Sequence, residues 1–184
     1  MNKTAIAIVS LAAAVCAGTA SAQAYLGAGV SAARINVDCD GADRCDRSDT
    51  GGKLYGGWRF GNGLAAELGY ISFGKATASD AGLSGDVKVS GFTVAAAYRA
   101  PIATDWALTG RLGIASLKTK VSASAGSLSG SDDERHTSPY LGLAVDYAFT
   151  PMLKLELSAD FSRAKYDSEK AAVRSLGLGL RYDF

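Results

Sequence analysis

The single histidine of the chain, His136, stands two residues before Ser138, the nearest thing in the sequence to nucleophilic catalytic machinery. On an extended strand, residues two apart point the same way, so the imidazole could act as base for the serine hydroxyl if a third group oriented it. The plainer reading of His136 is a solvated residue where a loop meets a strand. A second candidate is the run Asp38–Asp49, whose Asp38, Asp40, Asp43, Asp46 and Asp49 offer oxygen ligands of the kind calcium prefers. Its spacing is not that of an EF-hand, and Arg44 and Arg47 offset part of the charge. The glycine-rich piece Gly126–Gly130 lacks the lysine and the strand-to-helix setting of a phosphate loop. No catalytic, cofactor-binding or metal-binding residue is therefore assigned.

The remaining ionisable groups with a recognisable pattern lie inside alternating segments. Arg59, Arg99, Arg111, Lys154 and Arg181, with Glu67, Asp146, Glu156, Asp160 and Asp183, fall on the face opposite the large apolar residues. Five bases against five acids would be costly inside a narrow barrel unless paired, so they are expected to form a salt-bridged lumen. Gly57, Gly69, Gly113, Gly142, Gly177 and Gly179 share that face and would make room for Arg and Lys stems. A water-filled pore for small solutes is the competing expectation.

The elements that must position these groups are strands. Alternation with period two marks eight of them, near Ala24–Asn36, Lys53–Phe60, Leu64–Phe73, Val87–Ala100, Trp106–Lys118, Ser138–Phe149, Leu153–Lys165 and Ala172–Phe184. The breaks Gly61–Gly63, Pro101–Asp105 and Thr150–Met152 are short, whereas Asp38–Gly52, Gly74–Asp86, Thr119–Thr137 and Tyr166–Ala171 read as mostly longer polar loops. Short turns at one end and long loops at the other suit a membrane barrel, and an even strand number puts both termini on the short-turn side, the periplasm. Trp58, Phe60, Tyr98, Trp106, Tyr147, Phe149, Tyr182 and Phe184 cluster by the short turns or the terminus as an interfacial girdle; Tyr70, Phe73, Tyr140 and Phe161 read as a sparser second one. A soluble barrel of lipocalin type, with its apolar face inward, is the alternative that periodicity alone leaves open.

Lys3, the apolar run Ala5–Ala17 and the small residues Ala20–Ala22 predict a signal peptide over 1–22, cleaved between Ala22 and Gln23, leaving one domain over 23–184. Lipid modification at Cys16 is disfavoured by the bulky Val15 before it. Without Lys3 the bases and acids balance, which gives no reason to propose nucleic acid as a partner. In an exported chain the close pair Cys39 and Cys45 is expected to form a disulfide, and the spacing is not that of a redox motif. Such a loop staple contributes on the order of 2–3 kcal/mol.

The signal peptide, the alternating strands, the polar loops and the final aromatic together resemble the small bacterial outer-membrane β-barrels, the family of the OmpA transmembrane domain and the OmpX/Ail group. The segments Tyr25–Val30, Lys53–Phe60 and Ser175–Phe184 carry the likeness. The resemblance implies an all-β fold, an eight-stranded antiparallel up-and-down transmembrane barrel in the outer membrane. It also implies a carboxy-terminal assembly signal read by the barrel-assembly machinery, here Gly179, Tyr182 and Phe184, with Gly177 where a polar residue is usual. Implied partners are outer-membrane lipid and lipopolysaccharide, periplasmic chaperones and a host or surface ligand at the outer loops, with the barrel monomeric. Two function classes remain: a non-enzymatic barrel serving membrane integrity and adhesion, and a lipid A-modifying enzyme. The His136-x-Ser138 pair is similar to the motif of a lipid A deacylase group, although Pro139 replaces the asparagine that follows there.

Mass spectrometry of unreduced, exported protein should find the Cys39 and Cys45 peptides joined and two hydrogens lighter than after reduction. Free thiols at both positions would contradict the staple.

Overall fold

The computed structural model describes residues 23–35, 44–46, 48–80, 83–125, 128–166 and 169–184. Residues 1–22, expected from the sequence to be a signal segment, lie outside them, as do Cys39 and most of the acidic run, and Cys45 enters only through its backbone. The strands are β1 (Ala24–Ile35), β2 (Arg44–Asp46), β3 (Ser48–Arg59), β4 (Leu64–Asp80), β5 (Leu83–Pro101), β6 (Trp106–Ala125), β7 (Leu128–Ala148), β8 (Leu153–Tyr166) and β9 (Glu169–Asp183). Eight of them form a closed antiparallel wall, β1 pairing with both β3 and β9 and β4 closing on β5. The three-residue β2 only flanks β4 at the rim.

Closure follows from the sequence through the backbone. An N–H in hydrocarbon has no water to bond, so a sheet there must leave no edge. The seam is sealed to its last residue, where the Phe184 N–H donates to the Ala24 carbonyl at 3.0 Å. The turns at this end are equally tight: the Phe60, Ile102 and Phe149 N–H groups donate to the carbonyls of Leu64, Trp106 and Leu153 at 2.9, 3.0 and 3.1 Å.

Alternation then sorts the side chains. Leu112, Val30, Leu68, Phe92 and Leu176 are 68, 67, 62, 58 and 59% exposed, and every one of the eight wall strands contributes to this apolar outer surface. A continuous apolar band around the whole circumference requires lipid, which excludes the lipocalin-type register. The girdle by the short turns is packed ring to ring, Trp106 to Tyr147 at 4.9 Å, Tyr147 to Phe149 at 5.2 Å and Tyr182 to Phe184 at 5.1 Å.

The second girdle needs correction. Tyr70 and Phe161 face outward, but Phe73 and Tyr140 are 0 and 3% exposed and point into the lumen. Their positions share the phase of Glu67 and Asp146, so parity, not aromatic character, decides their direction.

The long loops need a larger correction. Gly74–Asp86 and Thr119–Thr137, expected as loops, are mostly ladder: β4 and β5 pair out to Asp80↔Leu83, and β6 and β7 out to Ala125↔Leu128. Spanning a bilayer takes roughly 9–11 tilted residues, whereas β6 has 20 and β7 has 21. About half of each therefore projects past the band as a hairpin whose backbone still pairs and in which Lys120, Asp132, Asp133, Arg135 and Thr137 are exposed. The wall is uneven, because β1 and β3 have only 12 residues each. Between β7 and β8 pairing stops at Leu141↔Phe161, two residues short of Pro139, which has no N–H to donate.

One irregularity shifts phase. In β4, register slips by one residue between Ser72 and Lys75, and Gly74 there has φ +70°, a left-handed conformation suited to a bulge. A Cβ on Gly74 would lie 2.7 Å from that of Asp49. The Asp49 carboxylate accepts the Lys75 N–H at 2.9 Å; the Thr50 N–H and then that of Lys75 hold this carboxyl below the usual range.

Closure also crowds the interior. A Cβ built on Gly27 would sit 2.3 Å from the Tyr55 ring, and one on Gly57 2.3 Å from the Tyr25 ring. These glycines make room for tyrosines rather than only for basic stems, although a Cβ on Gly142 does meet that of Arg111, at 3.1 Å. Gly57→Val should displace Tyr25 and cost about 1–3 kcal/mol, the usual range for overpacking. Urea unfolding in lipid vesicles measures it, and a variant as stable as the wild type would contradict the crossed-ring packing.

Candidate functional site

Inward positions build two layers. The layer nearer the short turns is ionic. Arg111 on β6 lies at its centre, its Nε donating to Glu67 and its Nη2 to Glu156, both at 2.7 Å. Arg181 on β9 reaches Asp146 at 3.1 Å and Asp183 at 3.3 Å; Arg59 reaches Asp183 at 2.6 Å, and Arg99 reaches Asp146 at 3.4 Å. Lys154 also binds Asp183. Asp160 is held by Lys53 at 2.9 Å. All ten ionisable residues singled out in the sequence thus meet in one cross-barrel network.

Four members were missed. Lys53, which also approaches Glu156 at 3.7 Å, marks the start of a strand in the sequence reading. Its parity with Tyr55 and Arg59 is the signal that it faces inward. The phenols of Tyr25, Tyr55 and Tyr140 donate to Glu67, Glu156 and Asp160 at 2.7, 2.6 and 2.5 Å. The Tyr25 and Tyr55 rings pack edge to face at 6.2 Å, and the guanidinium of Arg111 lies 4.8 Å from the Tyr55 centroid. Charged groups here are thus covered by aromatic faces as well as paired.

Above this lies an apolar layer in which Phe73, Val89, Ile35, Ile71, Leu117 and Val173 are 0–1% exposed. Tyr140 joins the layers, its ring in the apolar cluster and its hydroxyl on Asp160. A cavity of about 10 Å³ borders Lys53, Tyr55, Glu156, Ser158 and Asp160, about the space of one water molecule. The lumen as described is filled by side chains.

His136 and Ser138 share the inward face of β7, but the serine is 4% exposed and paired opposite Ala115 at the apolar layer. Half-buried His136 lies opposite Leu117. Among the described residues no hydrogen bond joins the pair and no third group orients the imidazole. Gly179, Tyr182 and Phe184 lie on β9 and its end, the two rings outward and the glycine against Gly29 of β1.

Residues 4–184 match the family model described as the outer membrane protein beta-barrel domain. Three solved structures have similar folds. Ail, the attachment invasion locus protein of Yersinia pestis, is 20% identical, with a TM-score of 0.59 over 89% of this chain and 100% of that one. Neisserial surface protein A is 17% identical, with a TM-score of 0.63 over 88% and 97%. OprG of Pseudomonas aeruginosa is 13% identical, with a TM-score of 0.54 over 89% and 96%. Ail has also been solved in complex with the heparin analogue sucrose octasulfate. No protein of curated function matches the chain.

Glu156→Ala would leave Arg111 and Tyr55 short of a partner and should destabilise the barrel by about 3–5 kcal/mol. Glu156→Gln, which keeps shape and one acceptor, should cost less. Equal midpoints for the two variants in urea unfolding would contradict the ionic reading of the layer.

Proposed function

The chain belongs to the outer membrane protein β-barrel family, and from that premise we propose that it is a non-enzymatic, monomeric barrel, closed to solutes, whose polar hairpins make contacts at the cell surface. The observation that carries this reading is the inequality of the two ends: tight turns at one, tall polar ladders at the other. Strands satisfy lipid outside and each other inside, which leaves the projecting hairpins free to specialise on a rigid base. The same reading puts both termini in the periplasm, with residues 1–22 removed on export, Cys39 bridged to Cys45 near the rim, and the Gly179, Tyr182 and Phe184 pattern addressing the assembly machinery. The heparin analogue bound to Ail supports host contact as the kind of role such an end can take.

The enzyme alternative requires His136 and Ser138 to act on lipid A, and the burial of Ser138 counts against it. Replacing residues 123–130 with an Asn-Gly turn, which keeps the Ser122↔Ser131 pair, should leave the barrel folded and abolish adhesion conferred on a non-adherent host strain. His136→Ala should leave adhesion intact. Adhesion that survives the hairpin replacement would overturn the surface-contact reading, and lipid A hydrolysis lost with His136 would favour the enzyme.

A further inference from the structure

The ionic layer is not balanced along its height. Its six bases, Lys53 included, meet five acids among the described residues, and the surplus gathers at the short-turn end. There Arg59, Arg99, Lys154 and Arg181 share Asp146 and Asp183. Glu156 lies 3.9 Å from Arg181 but is already held by Arg111 and Tyr55, at 2.7 and 2.6 Å. Lys154 of β8 and Arg181 of β9 are also direct cross-strand neighbours, and like charges so placed destabilise a sheet unless something offsets them. The Arg59 and Arg181 guanidiniums add to the crowding, since they lie 4.9 and 5.5 Å from the centroid of one ring, that of Tyr25.

The hydrogen bonds left over say what would offset this charge. Arg181, 2% exposed, directs Nε to Asp183 and Nη1 to Asp146, and its Nη2 has no partner. Arg111, which meets the same oxygen of Glu156, leaves its Nη1 without one as well. Each of these nitrogens carries two N–H bonds, whereas Asp146 leaves one oxygen, Oδ1, unbonded. Water accepts such donors but leaves the surplus charge in place. An anion meets both needs, and planar guanidinium forks suit the paired oxygens of an oxyanion better than a spherical ion.

Access is from one side. The Arg59 and Arg99 side chains are 22 and 27% exposed, against 2% for that of Arg181, so their heads stand between solvent at the short turns and the buried guanidinium. Beyond the ionic layer the packed cluster of Phe73, Val89, Ile71 and Leu117 closes the bore. We propose that Arg59, Arg99 and Arg181 form a binding site for a small oxyanion, a carboxylate or a phosphate group, entered from the short-turn mouth. Lys154 contributes charge to it without a fork. The lumen at this end is then a blind receptor and not a pore, a role separate from any contact the hairpins make.

The test uses the full mature chain, labelled with 15N-arginine and folded in phosphatidylcholine nanodiscs. The Arg181 Nε–H resonance is identified by its disappearance in Arg181→Lys. Inorganic phosphate and, separately, formate are titrated at an ionic strength held constant with sodium chloride. Either or both should move that resonance saturably; movement with one alone assigns the site to that class of oxyanion. In a variant with Arg59→Gln and Arg99→Gln the dissociation constant should rise about tenfold or more, the usual effect of losing a hydrogen bond to a charged group. A second variant, Arg59→Lys with Arg99→Lys, keeps both charges without the forks, and its affinity should fall between the two. It carries the test if the glutamine variant does not fold, as judged by gel migration of unheated against boiled samples. No saturable movement with either oxyanion overturns the proposal, as does an equal response to sodium chloride alone, which reports screening. A dissociation constant in the lysine variant equal to that of the wild type overturns it too.

Discussion

Within a hydrocarbon slab a backbone N–H has one kind of partner available, another strand, and this requirement organises the molecule. It forces β9 back onto β1 and brings the Phe184 N–H onto the Ala24 carbonyl. Once the wall is closed with eight strands, its bore is fixed at a width that side chains fill. Every inward residue then has to be reconciled with residues on the opposite wall, up to about a hundred positions away in sequence, as with Tyr55 and Glu156.

That reconciliation explains why the interior is chemically divided. In the lower layer, buried charge is tolerable because each guanidinium finds carboxylates and each carboxylate a second donor, often a phenol. In the upper layer the chain uses mainly aliphatic and aromatic side chains, with buried Ser138 opposite Ala115. The two layers fill the lumen by different means, ion pairing in one and apolar packing in the other. Tyr140 spans the boundary because tyrosine has an apolar body and a polar tip.

Much of this was legible. Alternation identified the wall strands, the outward apolar face and the ten ionisable residues of the lower layer, because a period of two is a direct record of which face a side chain occupies. The upper layer was not legible, because Ile35, Ile71, Val89, Leu117 and Val173 put apolar side chains on the inward phase, where the rows at lipid depth carry polar ones. The hairpin ladders were missed for a different reason. The sequences Ser122–Ala125 and Leu128–Ser131 show no amphipathic period even though their backbones pair. The cross-barrel hydrogen bonds of Tyr25 and Tyr55 depend on glycines in neighbouring strands, which no single strand reveals.

The extra residue at Gly74 bears on how the outer surface is charged. Below it the inward positions of β4 are odd-numbered, as with Glu67, Ile71 and Phe73; above it Ala76 is the buried one and Lys75 is exposed. Had the strand continued without the slip, Lys75 would have followed Phe73 into the aliphatic layer, an ammonium group with no counter-ion at hand. A single inserted residue thus works as a phase change in the wall, exporting a cation that the interior could not solvate and aligning it with Lys88. In a chain of this architecture, one-residue insertions near the rim are a direct route by which the electrostatics of the outer surface can be rewritten while the barrel beneath stays the same.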